Sequence, residues 1–217
     1  IAFLGPEATG KSTLVHETSR WLGKAFQAQS AHLGKPPSTP LTIVPNQFLP
    51  LGRRLFAKKS KTTDTKASQS PDEKASTSLI YAIRSVLLAW DRLALAKSLH
   101  ANAQSGAIII CDRYPSAHIG CMDSARLDPN LIKASGKLKR KAFKFLGELE
   151  NAIYQKVPKP DSVIQLTVPL DVALERNRSR NKNEPADWVK KRHEEVAVAT
   201  FEGVNYTELD TGGTLDE

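Results

Sequence analysis

One octapeptide near the start of the chain, Gly5-Pro6-Glu7-Ala8-Thr9-Gly10-Lys11-Ser12, restricts the possible folds more than any other feature. It satisfies G-x-x-x-x-G-K-[ST] at every position. Its flanks carry as much information as its residues. The apolar run Ile1-Ala2-Phe3-Leu4 leads into it as a buried strand would, and a helix is predicted to leave it, from Lys11 to about Phe26. Gly5 and Gly10 permit backbone angles that turn several N–H groups toward one point, and the helix N-terminus adds a positive field there. Lys11 contributes a compact positive charge and Ser12 a hard oxygen ligand. A loop so built cradles the phosphates of a nucleoside triphosphate such as ATP. Lys11 would sit on the β- and γ-phosphates and Ser12 on Mg²⁺, with Glu7, Thr9 and Thr13 in the same lining.

The rest of the chain fits an α/β reading. Its 217 residues are 40% apolar and 25% charged, enough for a core and a soluble surface, which excludes collagen-like and wholly disordered classes. Ala107–Cys111 is a second buried strand, Ser162–Val168 reads as a third, and a last strand is expected at Tyr206–Asp210. Helices are predicted between them: Ser76 to about Ala103 ending at Gly106, a basic region over 130–156, Leu170 to about Asn181, and Ala186 to about Thr200. In the first of these, Leu79, Ile83, Val86, Trp90 and Leu93 form one apolar stripe, read as its core face. Pro36, Pro37, Pro40, Pro45 and Pro50 forbid a long helix over 33–50 and leave room for one short strand, Leu41 to Val44. Residues 58–75 are polar and read as a mobile loop. Buried strands alternating with helices predict a P-loop three-layer sandwich, a parallel sheet of about five strands covered on both faces. One domain is expected over 1–217, with a mobile lid near 176–186.

Ile1 already lies within a strand pattern and residues 214–217 read as the first turn of a helix, so a trimmed chain with a truncated C-terminal helix is expected. Cys111 and Cys121 make no disulfide framework, no signal peptide is read and no apolar run spans a membrane, so a cytoplasmic location is expected. The net charge of +8 suits a polyanionic partner, a nucleotide or nucleic acid, but the run Lys133, Lys137, Lys139, Arg140, Lys141, Lys144 reads as a solvated face rather than a nucleic-acid surface.

A second carboxylate follows the second strong strand, in Cys111-Asp112-Arg113-Tyr114-Pro115. Strand C-termini of a parallel sheet collect at one edge, so Asp112 is predicted beside the phosphate loop. There it would hold Mg²⁺ or accept a proton from an attacking oxygen, and Arg113 would clamp an anionic acceptor. Arg84, Leu88 and Arg92 share a helix face at i, i+4, i+8 and are candidates for the acceptor side. The phosphate loop has no arginine. The group that steadies the transferring phosphoryl is therefore sought in Arg176 and Arg180 of the lid, with Arg192 in reserve.

With Asp112-Arg113-Tyr114 the chain resembles the thymidylate kinase branch of the P-loop nucleoside monophosphate kinases, which carries an Asp-Arg-Tyr at this place, and the resemblance covers most of the chain. The helix segment Leu87-Leu88-Ala89-Trp90-Asp91-Arg92, and Pro160-Asp161 before the strand that precedes the lid helix, stand where that family has counterparts. The resemblance implies transfer of the ATP γ-phosphoryl to a nucleoside monophosphate, with Arg92 on the acceptor base, Arg113 on its phosphate, Tyr114 close by, and commonly a homodimer. The chain departs from the family at Glu7-Ala8, at Leu88 where an aromatic is usual, and over Pro115–Gly120. A kinase for a hydroxyl acceptor (a nucleoside, a sugar or a 5′-hydroxyl polynucleotide end) stays open, with Glu7 or Asp112 as base. So does a non-catalytic ATP-binding module of a larger protein.

Overall fold

A computed structural model describes residues 1–6, 8–43, 79–119, 121, 123–128, 136–179, 185–197 and 200–213, without the side chains of 188, 192 and 194–197. In chain order the elements are β1 (Ala2–Leu4), α1 (Lys11–Leu22), β2 (Ala28–His32), α2 (Leu79–Gln104), β3 (Ile108–Asp112), α3 (Lys137–Tyr154), β4 (Ser162–Thr167), α4 (Leu170–Ser179), α5 (Ala186–Ala197) and β5 (Asn205–Asp210). The five strands form one sheet in the order β2-β3-β1-β4-β5, every pair parallel.

Strand alternation sorts the core into two layers. Ala2, Leu4, Ile109, Cys111 and Val163 face one side and pack on Ala96 and Leu99 of α2. Phe3, Ile110 and Leu166 face the other and pack on Val15 of α1. The sheet is thus covered on both faces, and its central strands are apolar on both sides, as parallel sheets require. α3 packs on the outer half of α2 through Phe143 against Ala82, and through Ile153 and Tyr154 against Ala89 and Leu93. The five basic side chains of α3, Lys137, Lys139, Arg140, Lys141 and Lys144, are exposed.

Three expectations need correction. β2 has no counterpart in the sequence reading. Its residues, Ala28-Gln29-Ser30-Ala31-His32, are small and polar and carry no apolar signal, because β2 is an edge strand whose ladder to β3 supplies what its side chains do not. A strand over Leu41–Val44 does not form: residues 40–43 make a helical turn, with the Thr42 and Ile43 amides donating to the Thr39 carbonyl, and Val44 lies outside the described residues. The apolar stripe of α2 points partly outward. Leu79, Ile83 and Trp90 are 39%, 36% and 42% exposed, while Ala82, Ser85, Ala89, Leu93, Ala96 and Leu99 form the buried face. α2 is apolar around most of its circumference, so periodicity did not single out one face. Small residues let α3 and the sheet approach most closely, and that decided it. Residues 58–75, 180–184 and 214–217, where the polar loop, part of the lid and the last helix were expected, lie outside the described residues.

Candidate functional site

The loop after β1 begins at the carboxyl edge of the sheet, as predicted. Gly5 has φ 150° and Gly10 φ 77°, and Ala8, a non-glycine, takes φ 65°. A Cβ on Gly5 would lie 2.6 Å from the Leu166 carbonyl oxygen, so the loop passes β4 where only glycine fits. Lys11 is buried and folds back into the loop. Its ammonium donates to the Gly5 carbonyl at 2.8 Å, to the Pro6 carbonyl, and to Thr9 Oγ1 at 3.3 Å. Thr9 Oγ1 in turn donates to the Pro6 carbonyl at 3.0 Å. These bonds hold the lysine rotamer at the mouth of α1.

Asp112 ends β3 in register with Phe3 of β1 and His32 of β2. Ser12 Oγ donates to Asp112 Oδ2 at 2.8 Å, and Asp112 Oδ1 is buried with no hydrogen-bond partner. A buried carboxylate oxygen without a hydrogen-bond partner, beside a serine hydroxyl, is a hard oxygen donor pair of the kind a divalent cation takes. These two residues fit Mg²⁺. Among the described residues no group of three or more His, Cys, Asp or Glu is placed to hold a metal, so phosphate oxygens and water would complete the shell.

The cleft over the loop is lined by residues 8–13, His32, Asp112, Arg113 and Asn177. Thr9, Gly10, Lys11, Ser12, Thr13, Asp112 and Arg113, all named from the sequence, meet there. Arg176 reaches the loop from α4, donating to the Ala8 carbonyl at 3.4 Å and to the Gly213 carbonyl at 2.9 Å. Glu7 and Arg180 lie outside the described residues, as does the side chain of Arg192.

The acceptor-side residues are arranged differently from the expectation. Arg92 is 1% exposed, and all five of its N–H donors are used inside the protein. Nε bonds the Leu33 carbonyl at 3.2 Å. Nη1 bonds the Asp123 carbonyl at 2.9 Å and the Tyr154 hydroxyl at 2.7 Å. Nη2 bonds the Gly34 carbonyl at 3.0 Å and Asp123 Oδ1 at 2.7 Å. No donor remains for a base edge, and Arg92 does not share an exposed face with Arg84, which points to solvent, or with half-buried Leu88. Tyr114 donates its hydroxyl to the Pro158 carbonyl at 2.7 Å and meets the Phe201 ring edge-on at 5.8 Å. Burial pushes its phenol well above the usual range.

The sequence reading missed four residues. His32 and Asn177 line the cleft. His32 was hidden because β2 was not recognised, and Asn177 was passed over between Arg176 and Arg178. Asp123, 7% exposed, joins Arg92 to Arg113 and carries no local signature. His193 of α5 has a buried, unpartnered Nε2, and burial, then the nearby Lys11 charge, holds its ring below the usual histidine range.

No family model matches the chain. Over its whole length it is 28% identical to a protein named as an uncharacterized ATP-binding protein, YghR, of Escherichia coli K12, covering 82% of that protein. The YghR of Escherichia coli O6:H1 matches equally. A thymidylate kinase of Mycobacterium tuberculosis is 28% identical over 137 residues, 63% of this chain and 59% of the kinase. The five-stranded parallel sheet with helices on both faces is the α/β fold of P-loop NTPases. Among the described residues no helix is long and apolar enough to cross a membrane.

Proposed function

We propose that the chain binds ATP with Mg²⁺ on the loop 5–12 and transfers the γ-phosphoryl group to a nucleoside monophosphate. The observation that carries this reading is the pair formed by Ser12 and Asp112, 2.8 Å apart at the mouth of the phosphate cradle, with Asp112 Oδ1 unpartnered. The similarity to an ATP-binding protein along the whole chain, and to a thymidylate kinase along part of it, supports it.

Each residue has a chemical task. The amides from Ala8 to Ser12 and the α1 N-terminus bind the phosphate oxygens. Lys11 adds a positive charge already aimed at the cradle. Ser12 and Asp112 would hold Mg²⁺, which when bound neutralises charge on the β- and γ-phosphates. Arg113, at the cleft, orients an acceptor phosphate by paired hydrogen bonds. Arg176, bonded to the loop carbonyl of Ala8, would serve the equatorial oxygens of the transferring group. An acceptor phosphate is already ionised, so positioning does most of the work.

One observation favours a second reading. Arg92, the arginine expected on the acceptor base, has every donor used inside the protein, and a sugar hydroxyl acceptor has no base to be held. In that reading Asp112, or Glu7, accepts the hydroxyl proton.

The test is ADP release with ATP–Mg²⁺ against the nucleoside monophosphates, nucleosides, simple sugars and a 5′-hydroxyl oligonucleotide, with Lys11→Ala as blank. Stimulation by one monophosphate, lost in Arg113→Ala, supports the main reading. Stimulation only by a hydroxyl acceptor moves the chain to the second. ATP binding without transfer to any acceptor overturns both and leaves a non-catalytic ATP-binding module.

A further inference from the structure

We propose that Asp123 is a positioning residue for the cleft: it holds the Arg113 guanidinium in place and takes its own fixed position from buried Arg92. The consequence for turnover rests on the phosphotransfer reading above; the positioning itself does not.

Both carboxylate oxygens of Asp123 are engaged. Oδ1 accepts from Arg92 Nη2 at 2.7 Å, and Oδ2 from Arg113 Nη1 at 2.9 Å. The two arginines differ in kind. Arg92 is 1% exposed and tied by its other donors to Leu33, Gly34, Tyr154 and the Asp123 backbone, so it cannot move without exposing several buried groups. The Arg113 side chain is 28% exposed and lines the cleft. A carboxylate fixed on its inner oxygen is therefore a rigid post for the guanidinium on its outer one.

The backbone is shaped to bring the three together. Arg113 and Asp123 both adopt left-handed angles, φ 67° and φ 64°, a conformation that costs non-glycine residues energy and persists where the surroundings over-determine it. Gly34 lies against both side chains. A Cβ there would lie 2.8 Å from Arg113 Cδ and 3.2 Å from Asp123 Oδ1. An arginine free to sample its rotamers loses roughly 2 kcal/mol of entropy when it clamps a ligand, and a post behind it removes part of that loss in advance.

Asp123→Asn is the informative variant. Its amide oxygen keeps an acceptor for Arg92, while its NH₂ group turns a donor toward Arg113. The first readout is ¹⁵N NMR of the Arg113 guanidinium, assigned by its loss in Arg113→Ala. Rotation should be restricted in the wild type and fast in the variant; equal mobility in both overturns the proposal. The second is turnover of whichever acceptor the panel identifies. KM for the acceptor should rise roughly tenfold or more with a smaller change in kcat, and the rise should vanish in an Arg113→Ala background. A rise that persists in that background means a merely structural role and also overturns the proposal. If no acceptor is used at all, the phosphotransfer reading fails and the NMR comparison still decides this one. Should Asp123→Asn fail to fold, Gly34→Ala sets a methyl 2.8 Å from Arg113 Cδ and should displace that side chain from Asp123 Oδ2; a guanidinium as restricted there as in the wild type after that displacement counts against the proposal.

Discussion

Ser12 Oγ and Asp112 Oδ2 lie 2.8 Å apart although 100 residues separate them in the chain. One belongs to the first turn of α1 and the other to the last residue of β3, and the parallel register of β1 with β3 brings them together. Asp112→Asn preserves the shape of this pair and removes the charge that a cation needs. The Mg²⁺ concentration for half-maximal ATP binding should rise by about ten- to a hundredfold, while ATP binding in EDTA stays within about twofold of wild type. Calorimetric titration at several Mg²⁺ concentrations measures this, and an unchanged Mg²⁺ requirement removes Asp112 from the metal site.

The two glycines of the loop should differ in cost. Gly5→Ala sets a methyl 2.6 Å from the Leu166 carbonyl and must part the loop from β4, for about 3 kcal/mol. Gly10→Ala meets nothing within 4 Å and bears only the penalty of φ 77°, about 1–2 kcal/mol. Urea midpoints of the two variants give the order, and a Gly5 variant as stable as the Gly10 variant contradicts the close approach to β4.

Glu150 supplies a pH signature. It is 1% exposed and accepts the Leu127 and Arg126 amides at 2.8 and 3.1 Å. Burial raises its carboxyl above the usual range, and those amides with the Arg126 and Arg92 charges only partly offset it. The folded chain therefore binds this proton more tightly than the unfolded chain. The stability Glu150 contributes is complete below its unfolded value, near about 4.3, and falls as pH rises through the folded value. Glu150→Gln lacks this dependence and keeps an oxygen for the two amides. Its stability relative to wild type should rise with pH from about 4 and then level off. Urea unfolding of both proteins over that range checks the sign, and a relative stability that falls with pH refutes it.

Much of the fold was legible because its signals are local. Gly5–Ser12 states its own conformation through two glycines and a lysine, and the short apolar runs of β1 and β3 read as buried strands. Parallel topology then puts Asp112 on the edge that holds the loop, and the register of β1 with β3 agrees. β2 was not legible, because a polar edge strand is defined by the partner it pairs with. The inward face of α2 was not legible either, since Trp90 is more apolar than Ala89 yet Ala89 is the one that α3 can approach.

The phosphate cradle, the parallel α/β architecture and the neighbourhood of Ser12 and Asp112 are encoded in the order of the residues, because each follows from backbone conformation or strand order. The surroundings of the arginines come from the packing of the folded chain. Arg92, Arg113 and Arg176 carry the same charge in the sequence. One is buried with every donor used, one is tethered at the cleft by Asp123, and one is bonded to the loop carbonyl of Ala8. Hydrogen-bond partners distant in the chain distinguish them, and no local pattern encodes such partners.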